Sequence, residues 1–171
     1  MKMIAAMLLA VLLSACATNP RKAAPTEPVT KMKNFDYGLA LTPFDGNKKK
    51  LADFRGKNIS IYYLSAMCPH CRHAMPKIER ARKILDSLGY ERVNICIKYN
   101  TDENFTQFIR EEKLTGACFK DADRKFGEKY GTGSIPVFFV VSDSGDVTRY
   151  NVVGDSLAEQ VADGLKPCCT D

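Results

Sequence analysis

Ile59-Ser60-Ile61-Tyr62-Tyr63-Leu64-Ser65-Ala66-Met67-Cys68-Pro69-His70-Cys71-Arg72-His73 is the stretch that decides how this chain folds. Ile59 to Leu64 is an apolar run of strand length. After Cys68 the apolar residues fall at Met75, Ile78, Ala81, Leu85 and Leu88, three and four apart, the stripe of a core-facing helix. The period therefore switches from strand to helix at the cysteines. A strand ending at Met67 delivers Cys68 to a helix N-terminus, where free backbone N–H groups and the positive dipole end favour an anion. That anion is the Cys68 thiolate, the only form of the thiol that attacks a disulfide. A free thiol is only ~3% thiolate at pH 7, so the gain from such a position is large. Pro69 suits the first helical position, where its missing N–H costs nothing. An imidazolium at His70 also favours a neighbouring negative charge, so Pro69 and His70 are the expected tuning residues. Cys71, one turn on, can reach back and close the disulfide. Two cysteines so spaced at a strand-to-helix junction read as a thiol–disulfide redox pair.

Downstream, Pro76 lies inside the helix and is expected to kink it, and Gly89 closes it. Val93 to Tyr99 reads as a second strand and Asp102 to Lys113 as a helix with Phe105, Phe108 and Ile109 inward. Leu114 to Phe119 reads as extended and Asp121 to Tyr130 as a short helix. Ile135 to Val141 is apolar throughout, yet Pro136 stands at its head and can donate nothing to a ladder. A cis Ile135–Pro136 peptide would explain it. Ser142 to Asp146 is a hairpin turn into Val147 to Val153, and Leu157, Val161 and Leu165 mark a last helix. Upstream, Phe35, Tyr37, Leu39 and Leu41 alternate as a strand would, followed by the turn Asp45-Gly46-Asn47. The order predicts an α/β fold: a central mixed sheet flanked by helices, with an N-terminal β extension. The folded domain is expected over 34–166.

The 171 residues contain 45% apolar residues and carry a net charge of +5. Basic and acidic residues are interspersed along the folded part, which argues for a solvated surface and against nucleic-acid binding. A monomer is expected. Seven cysteines fit an exported protein better than a cytosolic one. Lys2 followed by small and apolar residues from Met3 to Leu13 has the layout of a secretory signal over 1–15, too short for a lasting membrane span. It ends Leu13-Ser14-Ala15-Cys16. Residues 16–33 hold Pro20, Pro25 and Pro28 among Thr, Lys and Ala and read as a flexible tether. Residues 167–171 form a tail with Cys168 and Cys169. For Cys96 and Cys118 two readings stand side by side: inert core thiols, or a structural bridge.

Leu13 to Cys16 resembles the lipobox of bacterial lipoproteins. That implies lipidation of Cys16 and anchoring in a membrane facing the periplasm. Ala17 after it implies the outer membrane by the sorting rule of enteric bacteria. The domain resembles the thioredoxin fold, in the periplasmic branch of TlpA and ResA type. Five features carry this: Asp45-Gly46 with Leu51-Ala52-Asp53-Phe54-Arg55-Gly56-Lys57, then Cys68-Pro69-His70-Cys71, then Pro76. Tyr130-Gly131 through Ile135-Pro136 and Ser144-Gly145-Asp146 through Val153-Gly154 complete them. The resemblance implies a thiol:disulfide oxidoreductase acting on protein thiols and disulfides, with a membrane redox partner and no cofactor. It implies that Cys68 and Cys71 react and that Met67, Ile135 and Pro136 touch substrate. The Pro-His dipeptide is similar to that of strongly oxidising DsbA-type oxidases, whereas the domain outline is that of reductases, so the direction stays open. There are departures. Met67 replaces the branch's Trp, Ala74 replaces the Glu of ResA-like proteins, and Tyr62 occupies the place of the buried acid that helps deprotonate the second cysteine. The competing reading is a copper- or other metal-binding module of the same fold, using Cys68, Cys71 and His70 or His73. No second Cys-x-x-Cys or His-x-x-x-His accompanies the motif to complete a structural site.

Overall fold

The computed structural model describes residues 29–97, 99–152 and 156–166. The expected signal peptide, Cys16, most of the expected tether, and Cys168 and Cys169 lie outside the described residues. The strands are β1 (Thr30–Met32), β2 (Thr42–Phe44), β3 (Ile59–Leu64), β4 (Glu91–Ile97), β5 (Ala117–Asp121), β6 (Val137–Val141) and β7 (Val147–Asn151). The helices are α1 (Pro69–Ser87), α2 (Asp102–Glu111), α3 (Lys125–Lys129) and α4 (Leu157–Gly164). The strands form one sheet in the order β1-β7-β6-β3-β4-β5-β2.

The strand that leads into the cysteines is the middle of that sheet. β3 runs parallel to β4 and antiparallel to β6, and all six of its residues are buried. A strand covered on both faces has no solvent side, which is why Ile59 to Leu64 is apolar but for buried Ser60. Its alternation still sorts the two cores. Tyr62 and Leu64 pack with Met75, Ile78, Ala81 and Leu85 of α1, Phe105 and Phe108 of α2, and Leu157 and Val161 of α4. Ile61 and Tyr63 face the other way, against Phe35, Tyr37, Phe54 and Phe126. The mixed α/β sheet of the sequence reading is therefore present, with β3 as its axis.

The N-terminal part differs in detail. Phe35 to Leu41 alternates in burial but forms no strand; Phe35 and Tyr37 are buried in the second core, and the Phe35 ring stacks on Tyr130 at 5.3 Å. The alternation recorded which side chains turn inward, a property an irregular segment shares with a strand. The β extension is built from two edge strands instead: β1 pairs with β7 and β2 with β5. Thr30 to Met32, assigned to the tether by composition, thus belongs to the sheet. An edge strand needs little apolar content, so its sequence carries little signal. α1 continues through Pro76 without a break, and Pro76 is exposed.

The helix after β5 starts later than the sequence suggests, because a carboxylate fixes its first turn. Buried Asp121 accepts from the Phe126 N–H (3.2 Å) through Oδ1, and from the Gly127 N–H (3.0 Å) and the Tyr63 hydroxyl (3.0 Å) through Oδ2. Gly127 has to be glycine here: an added Cβ would lie 2.5 Å from the Tyr63 hydroxyl oxygen and 2.8 Å from Thr132 Oγ1. Its carbonyl accepts from the Thr132 N–H (2.8 Å) and hydroxyl (3.1 Å). This knot of Tyr63, Asp121, Gly127 and Thr132 anchors the loop that delivers Ile135 and Pro136 to the head of β6.

Candidate active site

Cys68 stands at the N-cap of α1 in an extended conformation, with Pro69 as the first helical residue. Its carbonyl accepts from the Cys71 N–H (3.0 Å) and the Arg72 N–H (3.4 Å), and its own N–H donates to the Ser65 carbonyl (3.1 Å). The helix begins where the sequence put it, but β3 ends at Leu64 rather than Met67, and a turn over Ser65 to Met67 carries the chain from strand to cysteine. Cys68 is half-buried; Pro69, His70 and His73 are exposed. Met67, beside it, is 66% exposed.

Cys71 is fully buried one turn further on. Its Sγ accepts from the Ser65 N–H (3.4 Å), and its carbonyl accepts from the Tyr62 hydroxyl (2.7 Å). Burial, with neighbouring Cys68 adding to it, pushes the Cys71 thiol up to about 12, only partly opposed by the Ser65 N–H and the Tyr62 hydroxyl. Tyr62 is no substitute for a carboxylate. Burial and the neighbouring Cys71 hold its phenol well above the usual range, so it stays a neutral donor. The two sulfurs therefore differ sharply: one reachable from solvent at a helix start, the other sealed and held protonated.

The loop between β3 and α1 is tied by a residue that sequence reasoning passed over. Asn100, buried just beyond β4, accepts through Oδ1 from the Ser65 hydroxyl (3.1 Å) and the Met67 N–H (3.2 Å). Its Nδ2 donates to the Ile97 carbonyl (2.9 Å). One side chain thus clamps the turn that presents Cys68 to the end of β4. A lone Asn after a strand looks like an ordinary loop residue, so the only signal was its place. Asn100→Ala is expected to slow disulfide exchange by about tenfold, on the order of one net hydrogen bond, since the Met67 N–H keeps its second acceptor, Ser65 Oγ at 3.3 Å. The check is kcat/KM on a peptide disulfide, compared with wild type.

The Ile135–Pro136 peptide is cis, as the sequence led us to expect. Val137 pairs with Tyr63, so Ile135 and Pro136 lie at the end of β3 that leads into the cysteine loop. Ile135 and Cys68 both pack against the same core cluster. Met67, Cys68, Cys71, Ile135 and Pro136 thus gather at one end of the sheet.

Cys96 and Cys118 are buried free thiols on the neighbouring strands β4 and β5. Cys118 pairs in register with Asn94 and Cys96 with Lys120, so the two sulfurs sit on diagonal positions two residues apart. Both thiols are free and packed in the core. Burial raises both, Cys96 to about 12 and Cys118 to about 11. Among the described residues no three His, Cys, Asp or Glu side chains gather as a metal-ligand set. A cavity of about 600 Å³ lined by Phe44, Lys49, Arg92 and Cys118 lies toward the opposite, Glu91 end of β4 and takes no part in this site.

Fold and site together define a thioredoxin-like thiol–disulfide oxidoreductase. The family model described as Redoxin matches residues 26–165, and the chain belongs to that family. It is 25% identical over 128 residues to the thiol-disulfide oxidoreductase ResA of Bacillus thuringiensis, covering 75% of this chain and 73% of that protein. Among solved structures it is similar to a secreted Mycobacterium tuberculosis disulfide oxidoreductase homologous to E. coli DsbE. The TM-score is 0.61 and the identity 20%, over 74% of this chain and 96% of that one. A DsbE-type protein from Chlorobium tepidum aligns with a TM-score of 0.58 at 17% identity, over 77% of this chain and 98% of that one.

Proposed function

We propose that this chain exchanges disulfides with protein substrates in the periplasm through the Cys68–Cys71 pair, held to the outer membrane by a lipid on Cys16. The observation that carries the exchange chemistry is the asymmetry of the two sulfurs at the start of α1: Cys68 half-exposed, Cys71 sealed beneath it. In the reducing direction the Cys68 thiolate attacks one sulfur of a substrate disulfide. A Cys68–substrate bond forms and the other substrate sulfur leaves as a thiolate. Cys71 gives up its proton and attacks Cys68 Sγ. The intramolecular disulfide forms, the second substrate sulfur leaves with the electron pair, and the substrate has gained two electrons. The oxidising direction is the same path reversed. Met67, Ile135 and Pro136 flank the attacked bond, where an extended substrate can pair briefly with the backbone beside the proline.

The anchor follows from the lipobox-like Leu13 to Cys16 and the proline-bearing segment after it. Among the described residues no helix is long and apolar enough to cross a membrane, so a membrane redox partner would meet this domain from outside the bilayer. Whether the chain oxidises or reduces turns on the potential of the Cys68–Cys71 couple, in a range from roughly −270 mV for thioredoxin to about −120 mV for the strongest oxidase. Equilibration with glutathione measures it. His70 is exposed in the first turn of α1, and we assign it the tuning role. His70→Ala is then expected to lower the potential by about 30 mV, the equivalent of a tenfold change in the equilibrium constant. An unchanged potential would remove His70 from the tuning set. A chain that never equilibrates with glutathione through these cysteines would sink the exchange reading itself.

A further inference from the structure

On the side of the loop opposite α1 lies a cleft of about 140 Å³, lined by Tyr63, Ile97, Tyr99, Arg124, Ile135 and the Thr132–Ser134 turn. Two observations tie it to the cysteines. Ile135 is the residue before the cis proline. Tyr99 adjoins Asn100, which holds the Met67 N–H and the Ser65 hydroxyl. The floor residue Tyr63 is fixed by its hydrogen bond to Asp121. The rim is unusual for a surface. Tyr99, in the cleft lining, is 64% exposed and Met67, next to Cys68 in the chain, 66%, so two large side chains stand in solvent at this end of the sheet. Arg124 leans across the mouth, its Cζ 6.0 Å from the Tyr99 ring centre and its Nη1 donating to the Tyr99 hydroxyl at 3.4 Å. Among the described lining residues Arg124 is the one that carries a charge. Glu128 acts on it from the next turn.

We infer that this cleft is a specificity site for the substrate chain, taking an aliphatic side chain next to the reacting cysteine and an acidic residue beside that. The inference rests on the exchange reading above and names the substrate class it serves. The volume equals roughly four to five waters at ~30 Å³ each, the scale of one aliphatic side chain. Tyr63, Ile97, Tyr99 and Ile135 supply apolar walls for it. The guanidinium at the mouth complements a carboxylate and repels a cation, and rim charges of this kind select partners more than they add affinity. Position 124 has φ 59°, a left-handed conformation that Asn and Asp tolerate. Neutral and inverted variants are therefore available without backbone strain.

The test uses two peptides, each with one cysteine in a mixed disulfide with a chromophoric thiol. The cysteine is flanked by Leu-Asp in one and Leu-Lys in the other. Wild type is expected to favour the acidic peptide by about threefold to fivefold in kcat/KM, the range of an exposed charge pair. Arg124→Asn should erase the preference and Arg124→Asp reverse it. Tyr99→Ala should cost the Leu peptides more than analogues with Ala in place of Leu. Equal rates for both peptides in wild type, or a preference that survives Arg124→Asp, would overturn the assignment while leaving the exchange chemistry standing. Failure of either peptide to react through Cys68 would remove the exchange reading, and the cleft's role with it.

Discussion

Cys68→Ser should bring disulfide exchange down to the uncatalysed rate, a fall of roughly 10³-fold or more, as for loss of a covalent nucleophile. The reason lies in the division of labour at the start of α1. Cys68 is the half-exposed sulfur, on the N-cap, with Met67 and Ile135 around it. Cys71 is sealed and protonated at neutral pH, so it cannot take over the first attack. Cys96 and Cys118 are buried in the core, with thiols raised by that burial. Among the described residues no other thiol is placed to substitute. Ser is nearly isosteric with Cys, so the variant should keep the fold and separate chemistry from stability. The measurement is the rate of thiol release from a peptide disulfide, with near-ultraviolet circular dichroism as the check on folding. Retained activity in Cys68→Ser would move the nucleophile elsewhere, outside the described residues.

What could be read in advance followed from how strongly each feature constrains the local chain. The change of period at Cys68 marks a physical boundary, because a two-sided buried strand and an amphipathic helix need different spacings. Hence β3, α1 and the cysteine pair between them were legible. Pro136 was legible for a similar reason: a residue without an N–H at the head of a central strand needs a special arrangement. Features made by contacts between distant segments left little trace. Asp121 looks like a surface acid, yet it is buried and holds the first turn of α3 together with the Tyr63 hydroxyl. Arg82 lies on the helix as any charged residue would. It is completely buried, its Nη2 donating to the Val93 carbonyl at 2.9 Å, and burial pulls it down to about 10. Asn100 and Arg124 belong to the same class. Their roles depend on which loops the sheet brings to one end, and no local spacing records that.

The sealed second thiol has a kinetic consequence. With its thiol pushed up by burial, Cys71 is thiolate in only a small fraction of molecules at neutral pH. Tyr62 stands beside it as a neutral phenol donating to the Cys71 carbonyl, and among the described residues no carboxylate acts on the Cys71 thiol. Resolution of the mixed disulfide should therefore follow the thiolate fraction of Cys71. A raised acid ionises as pH climbs toward its own value, so the rate should increase nearly tenfold per pH unit from 6 to 9 with no plateau. A residue working at its ordinary thiol value near 9 would instead begin to level off by then. The experiment preforms a Cys68–peptide disulfide and follows peptide release in a single turnover. Cys71→Ala should abolish release and leave the adduct trapped through Cys68, a change of several orders of magnitude. A plateau at neutral pH would mean that another group takes the proton. His73, exposed in the first turns of α1, is then the residue to replace next. Release that survives in Cys71→Ala would show that an outside thiol resolves the adduct, and the buried sulfur would lose its role.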